Sequence, residues 1–185
     1  GQNWAASTVE EGTPGTANSV LNANAAPMIL EVRHWPIVPR STSRVQITTR
    51  LVDEQKTGLT ADLVYRPDSA EDYLTAPLHD DGAHGDGLAG DGLFGLSIPA
   101  FPDGTVVEFY IRARDAQDHS RIYPAVTVPD DEPHANLLYQ VDDSVTDDSL
   151  PFYRIIMTPA ERDYFLKMVR NSAGRFSDAR MNATF

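Results

Sequence analysis

Val45, Ile47, Thr49 and Leu51 alternate with Arg44, Gln46, Thr48 and Arg50 in the segment SRVQITTRLVDE. Successive side chains of a strand point to opposite faces of a sheet, so this period of two predicts a strand with one buried face. Ala61, Leu63 and Tyr65 repeat the pattern in LTADLVYRP, and Val107, Phe109, Ile111 and Ala113 oppose Glu108, Arg112 and Arg114 in TVVEFYIRARD. MILEVRHW from Met28, the run Leu93 to Ile98 and IYPAVTVP add further short strands. Pro36, Pro39 and Pro124 interrupt pairing as at sheet edges. Asp103-Gly104 is a turn signal, and no helical period occurs between residues 28 and 130. Short strands separated by turn residues predict a mainly β chain built as an antiparallel sandwich and disfavour a parallel βαβ fold.

The densest chemistry falls between two of these strands. HDDGAHGDGLAGDGLFG, residues 79 to 95, contains three D-G-x-x-G pentads in succession. Asp80, Asp81, Asp86 and Asp91 supply carboxylates within a dozen residues, and glycine lets the chain curl so that oxygens converge. Carboxylates forced together repel without a cation, and calcium prefers several oxygen ligands, so these four aspartates are a candidate calcium site. Magnesium fits a flexible loop less well. The spacing is neither that of an EF-hand nor that of a calcium-binding β-helix. Asp-Gly is also a turn dipeptide whose carboxylate caps nearby amides without metal, with Leu88, Leu93 and Phe94 pinning the loop, and both readings stay open here. His79 and His84 flank the aspartates. A His/Asp transition-metal site is the sharper reading of them, polar loop residues the plainer one.

Bulk properties exclude several classes. The chain has 185 residues, a formal net charge of -12 and no cysteine. The charge argues against nucleic acid and against an anionic membrane surface, since both need clustered Lys and Arg. Without cysteine there is no disulfide, thiol nucleophile or zinc-thiolate site. No apolar run approaches the roughly 20 residues of a membrane helix, and no signal-peptide pattern is read within these 185 residues, whose start at Gly1 without Met is expected to lie inside a longer chain. No G-x-S-x-G elbow occurs and no carboxylate pair stands out as a glycosidase pair, so the chain is expected not to be an enzyme. Trp4, Trp35, Tyr73 and Tyr110 could form an aromatic platform for sugar, although Trp35 beside Pro36 is expected to pack at a sandwich end. Asn182-Ala183-Thr184 is a formal glycosylation sequon.

The flanks differ in texture. Residues 1–26 are small and polar and read as a terminal piece plus linker. Residues 131–149 are acidic and read as a solvated connector with a short strand near Leu137 to Val141. PFYRIIMT reads as a strand. Thr158 then caps a helix with Pro159 at its first position and Glu161 at the capping-box spacing. Tyr164, Phe165, Met168 and Val169 form its apolar stripe, and ARMNATF begins another strand. A strand-helix-strand unit ending inside a strand is expected to be part of a longer polypeptide.

Three stretches resemble known families. NWAAST and GTPGTANS (Asn3 to Ser19) resemble the closing strand and exit turn of a bacterial lamin-tail-type domain. PLHDDGAHGDGLAGDGLFGLSIP and DGTVVEFYIRARD resemble an immunoglobulin- or fibronectin-III-like module of large exported bacterial proteins. LPFYRIIMTPAERDYF and NATF (Leu150 to Phe185) resemble the first strand and helix of a CotH-like protein kinase domain. The resemblances imply an immunoglobulin-like sandwich at residues 27–130, between the end of a lamin-tail-like domain (1–26) and a truncated CotH-like start (150–185). They imply a secreted or cell-surface parent whose nucleotide-binding residues lie beyond this chain. The expected role is a non-catalytic accessory or spacer module with neighbouring domains of the same polypeptide as partners. A carbohydrate-binding module with glycan as partner is the alternative.

Overall fold

The computed structural model describes residues 5–125, 136–144 and 154–170. The described chain is mainly β, with strands β1 (Met28–Trp35), β2 (Val45–Val52), β3 (Thr60–Pro67), β4 (Leu74–Leu78), β5 (Leu93–Ile98), β6 (Val106–Arg114), β7 (Ser120–Tyr123) and β8 (Leu137–Gln140), followed by helix α1 (Pro159–Arg170). One sheet runs β1-β2-β5, and the other runs β4-β3-β6-β7 with β8 also paired to β6. Each strand pair is antiparallel. This is the antiparallel β-sandwich that the alternation predicts.

The strand β2 keeps its period of two: Val45, Ile47, Thr49 and Leu51 are buried and the residues between them are not. They meet Leu63, Val107, Phe109, Ile111 and Tyr139 from the facing sheet in a single core. Thr49 is the polar member of that row. Leu30 pairs with Arg50 and Arg33 with Thr48, so Glu31 and Val32 together oppose Thr49 in a bulge. The Thr49 hydroxyl donates to the Leu30 carbonyl at 3.0 Å, which satisfies a buried polar group beside the bulge.

Four expectations change. The strand β4 was not read from the sequence, because Pro77 breaks the pattern of LTAPL; an edge strand bonded only to β3 accommodates that proline. On β6 the face expected to be solvated is largely buried, including Glu108 and Tyr110, because Arg66, Tyr73 and Asn136 cover it. The short strand near Leu137 lies in the sandwich itself, paired with β6 along Val106–Phe109, beyond the boundary read at residue 130. Asp142 and Asp143, read as part of a solvated connector, bind the sandwich end. The Asp143 carboxylate accepts from the Ser41 amide at 2.7 Å and its hydroxyl at 2.6 Å, and Asp142 pairs with Arg154.

Helix α1 starts where expected, with the Glu161 amide donating to the Thr158 hydroxyl at 3.3 Å. None of its residues is buried, so its apolar stripe faces outward. Before it, residues 154–158 hold a single β-bridge at Ile156 where a strand was expected. Residues 1–4, most of the acidic segment and the final ARMNATF strand lie outside the described residues. No described helix is long and apolar enough to cross a membrane.

The Asp-Gly loop as candidate functional site

Residues 79–92 carry the chain from β4 in one sheet to β5 in the other. The crossing is fastened at its base, where His79 and Gly95 exchange backbone bonds of 3.0 and 2.8 Å. The loop then folds back over the outward side of β5. A side-chain carbon at Gly95 would lie 2.6 Å from the His84 carbonyl oxygen, so only glycine lets the loop come this close. Gln46, on the outward side of β2, donates to the same His84 carbonyl. Arg50 holds the far limb through the Asp91 carbonyl at 3.1 Å.

The aspartates point inward, to the loop's own backbone. Asp86 is fully buried, and its carboxylate accepts from the amides of Asp81 (2.6 Å), Gly82 (2.7 Å) and His84 (2.7 Å). Asp80 reaches across the loop to the amides of Gly90 (2.8 Å), Asp91 (3.2 Å) and Gly92 (3.0 Å). Asp91 accepts from Leu93 at 2.8 Å and from Leu88 at 3.2 Å. Asp81 accepts one backbone bond, from Ala83 at 2.9 Å, and takes His84 Nδ1 at 2.9 Å. Three of the four carboxylates are therefore the anions bound by converging N–H groups, the arrangement of a backbone nest.

The same contacts set the charge states. Burial pushes the Asp86 carboxyl up, but the Gly82, His84 and Asp81 amides outweigh it and hold the group below the ordinary aspartate value. Asp81 is also lowered, first by the His84 hydrogen bond and then by the Ala83 amide.

This arrangement does not fit a calcium cage. Calcium needs six to eight oxygens directed at one point. Asp80, Asp86 and Asp91 instead direct their oxygens at separate amides, and the four aspartates do not gather into one ligand group among the described residues. Like-charge repulsion, which motivates a cation, is relieved here by distributing the carboxylates over N–H groups. Of the apolar residues expected to pin the loop, Phe94 is buried, Leu93 is half-buried and Leu88 is 76% exposed.

What the structure does gather is His79, Asp81 and His84, whose candidate ligand atoms lie within 4.8 Å of one another. The two imidazole rings stack with centroids 4.2 Å apart and planes 24° apart. Beside them is a cleft of ≈ 750 Å³ with apolar Leu59 and Phe94 and charged Arg50, Lys56 and Asp62 in its walls.

Among the described residues, Trp35, Tyr73 and Tyr110 do not gather into one sugar platform. Trp4 lies outside the described residues. Trp35 ends β1 in the first sheet and is 67% exposed, in place of the packing role expected of it. Tyr73 and Tyr110 sit on the second sheet, edge to face at 5.7 Å, with Tyr110 buried. The Arg66 guanidinium covers the Tyr73 ring at 4.4 Å, and the Tyr73 hydroxyl accepts from Asn136 at 2.7 Å. Burial, followed by the Glu108 carboxylate, pushes that phenol up to about 12.

Sequence reasoning missed the Arg66–Glu108–Tyr73–Asn136 cluster. Its one legible signal was a Glu alternating with β-branched and aromatic residues on a central strand. It also missed Asp115, which is buried and accepts from the amides of Gln117 (2.8 Å) and His119 (2.9 Å) to close the β6–β7 turn. Neither the family models nor the curated proteins compared with this sequence gave a match.

Proposed function

We propose that this chain is a non-catalytic accessory module that acts as a rigid, acidic spacer within a larger exported protein. The observation that carries the reading is the orientation of the loop carboxylates. The residues with the greatest chemical potential in the sequence bind the chain's own amides and tie the two sheets together. A catalytic acid or base would face a cleft and keep a free lone pair for substrate. Asp86 has neither. The exported setting and the neighbouring domains rest on the sequence resemblances. A CotH-like parent would hold its nucleotide through residues outside this chain.

The reading is tested by incubating the chain with ATP and a divalent cation, and separately by passing it over immobilised polysaccharides. The expected outcome is no phosphate transfer and no retention. Transfer of phosphate would make the chain an enzyme, and saturable retention on one glycan would make it a carbohydrate-binding module.

A further inference from the structure

We propose that His79, Asp81 and His84 form a surface site for a divalent transition cation of the zinc class. The loop sorts its aspartates by the partners they accept from. Asp80 and Asp86 each accept three backbone bonds and Asp91 accepts two. Asp81 accepts only one, from Ala83, and its side chain is 48% exposed. It alone of the four accepts from another side chain, the His84 imidazole, and the His79 ring stacks on that imidazole.

The geometry is close to that of a first coordination shell. Zinc–nitrogen and zinc–oxygen bonds near 2.0–2.2 Å place neighbouring ligand atoms about 3.3 Å apart in a tetrahedron. His84 Nδ1 already lies 2.9 and 3.0 Å from the two Asp81 oxygens. The whole set spans at most 4.8 Å, so side-chain swings of about an ångström close it around an ion. The backbone needs no movement. His79 is held by its paired bonds to Gly95, and the His84 amide is held by Asp86 at 2.7 Å. Binding therefore restricts only three side chains, which keeps its entropic cost low.

Ligand type selects the metal. Two imidazole nitrogens and one carboxylate suit zinc, cobalt, nickel or copper and do not suit calcium or magnesium. The site is at the surface, so water completes the coordination. The ion takes the place of the Asp81–His84 hydrogen bond and bridges that pair to His79. The site does not rest on the spacer role, and it leaves the amide-bound aspartates in place.

Calorimetric titration of the chelator-stripped chain with zinc chloride tests the proposal. We expect one saturable site per chain, weakened at least tenfold by His79→Ala or by His84→Ala, each with an unchanged melting midpoint in chelator. His119→Ala removes a His–Asp pair without a second imidazole and leaves zinc affinity unchanged. Calcium chloride gives no saturable heat. In the unsubstituted protein, substoichiometric cobalt broadens the imidazole resonances of His79 and His84 before those of His34 and His119, a readout independent of any variant's folding. Unsaturable zinc heats overturn the proposal, as does binding that survives both histidine substitutions or cobalt broadening that spares both rings.

Discussion

Gly95 and Tyr139 show how much single side-chain atoms decide here. The Gly95 hydrogen faces the His84 carbonyl, where a methyl carbon would lie only 2.6 Å from the oxygen. Backbone cannot swing aside as the end of a long side chain can, so Gly95→Ala must lift the loop from β5. Its expected cost is about 1–3 kcal/mol, typical of overpacking, and denaturant unfolding measures it directly. Tyr139 poses the opposite case. Its ring is fully buried against His34 and Phe109, yet its hydroxyl finds no hydrogen-bond partner among the described residues. Tyr139→Phe removes an unsatisfied polar atom and keeps the ring. It is expected to leave stability unchanged or raise it by up to about 1 kcal/mol, and a clear loss on unfolding would reveal a partner for that hydroxyl.

At the scale of elements, the Asp-Gly loop behaves as a built joint. Asp86 sits at its centre, and Asp86→Asn would turn an NH2 group toward amides that now meet a carboxylate oxygen. The expected result is a fall in melting midpoint of about 5–10 °C with no effect of added calcium on either protein. A calcium-dependent rise in the unsubstituted chain would restore the cation reading. How far these elements could be read from sequence depended on how evenly their two faces differ. The strand β2 was legible because every second residue meets the core. The outer face of β6 was not, because its cover comes from Tyr73 and Asn136, distant in sequence. The strand β8 was legible as a strand, but its place beside β6 was not, since nothing local in an acidic segment names its partner. The pentads were legible as a connection between strands. Whether their carboxylates turned inward or toward an ion depended on where the amides of residues 81–92 came to lie, a property of the folded path alone.

The whole molecule carries many carboxylates whose ionised form is favoured by folding. Asp81, Asp86 and Asp115 are held below the ordinary value, and Asp142 is brought down to about 2 by the Ser144 hydroxyl and Arg154. A depressed folded pKa means that the unfolded chain takes up protons first as pH falls. Stability from these groups is thus complete above about pH 4 and is lost as pH falls through their folded values. His34 adds an earlier step. Burial against Tyr139 lowers it from 6.5, in spite of its bond to the Ile37 carbonyl, so stability also declines as pH falls from 6.5 through its folded value. Unfolding measured against pH is expected to weaken in two stages, with only the upper stage missing in His34→Gln. A profile with one stage in both proteins would show that His34 keeps its ordinary value.

The loop aspartates serve the chain's own backbone. Amide hydrogen exchange in chelator tests it directly at Asp81, Gly82, His84, Gly90 and Gly92, whose N–H groups meet the Asp86 and Asp80 carboxylates. Strong protection is expected at these positions without any metal, comparable to that of β2 and lost for the first three in Asp86→Asn. Free exchange at all five positions, or protection that develops only when calcium is added, would contradict it.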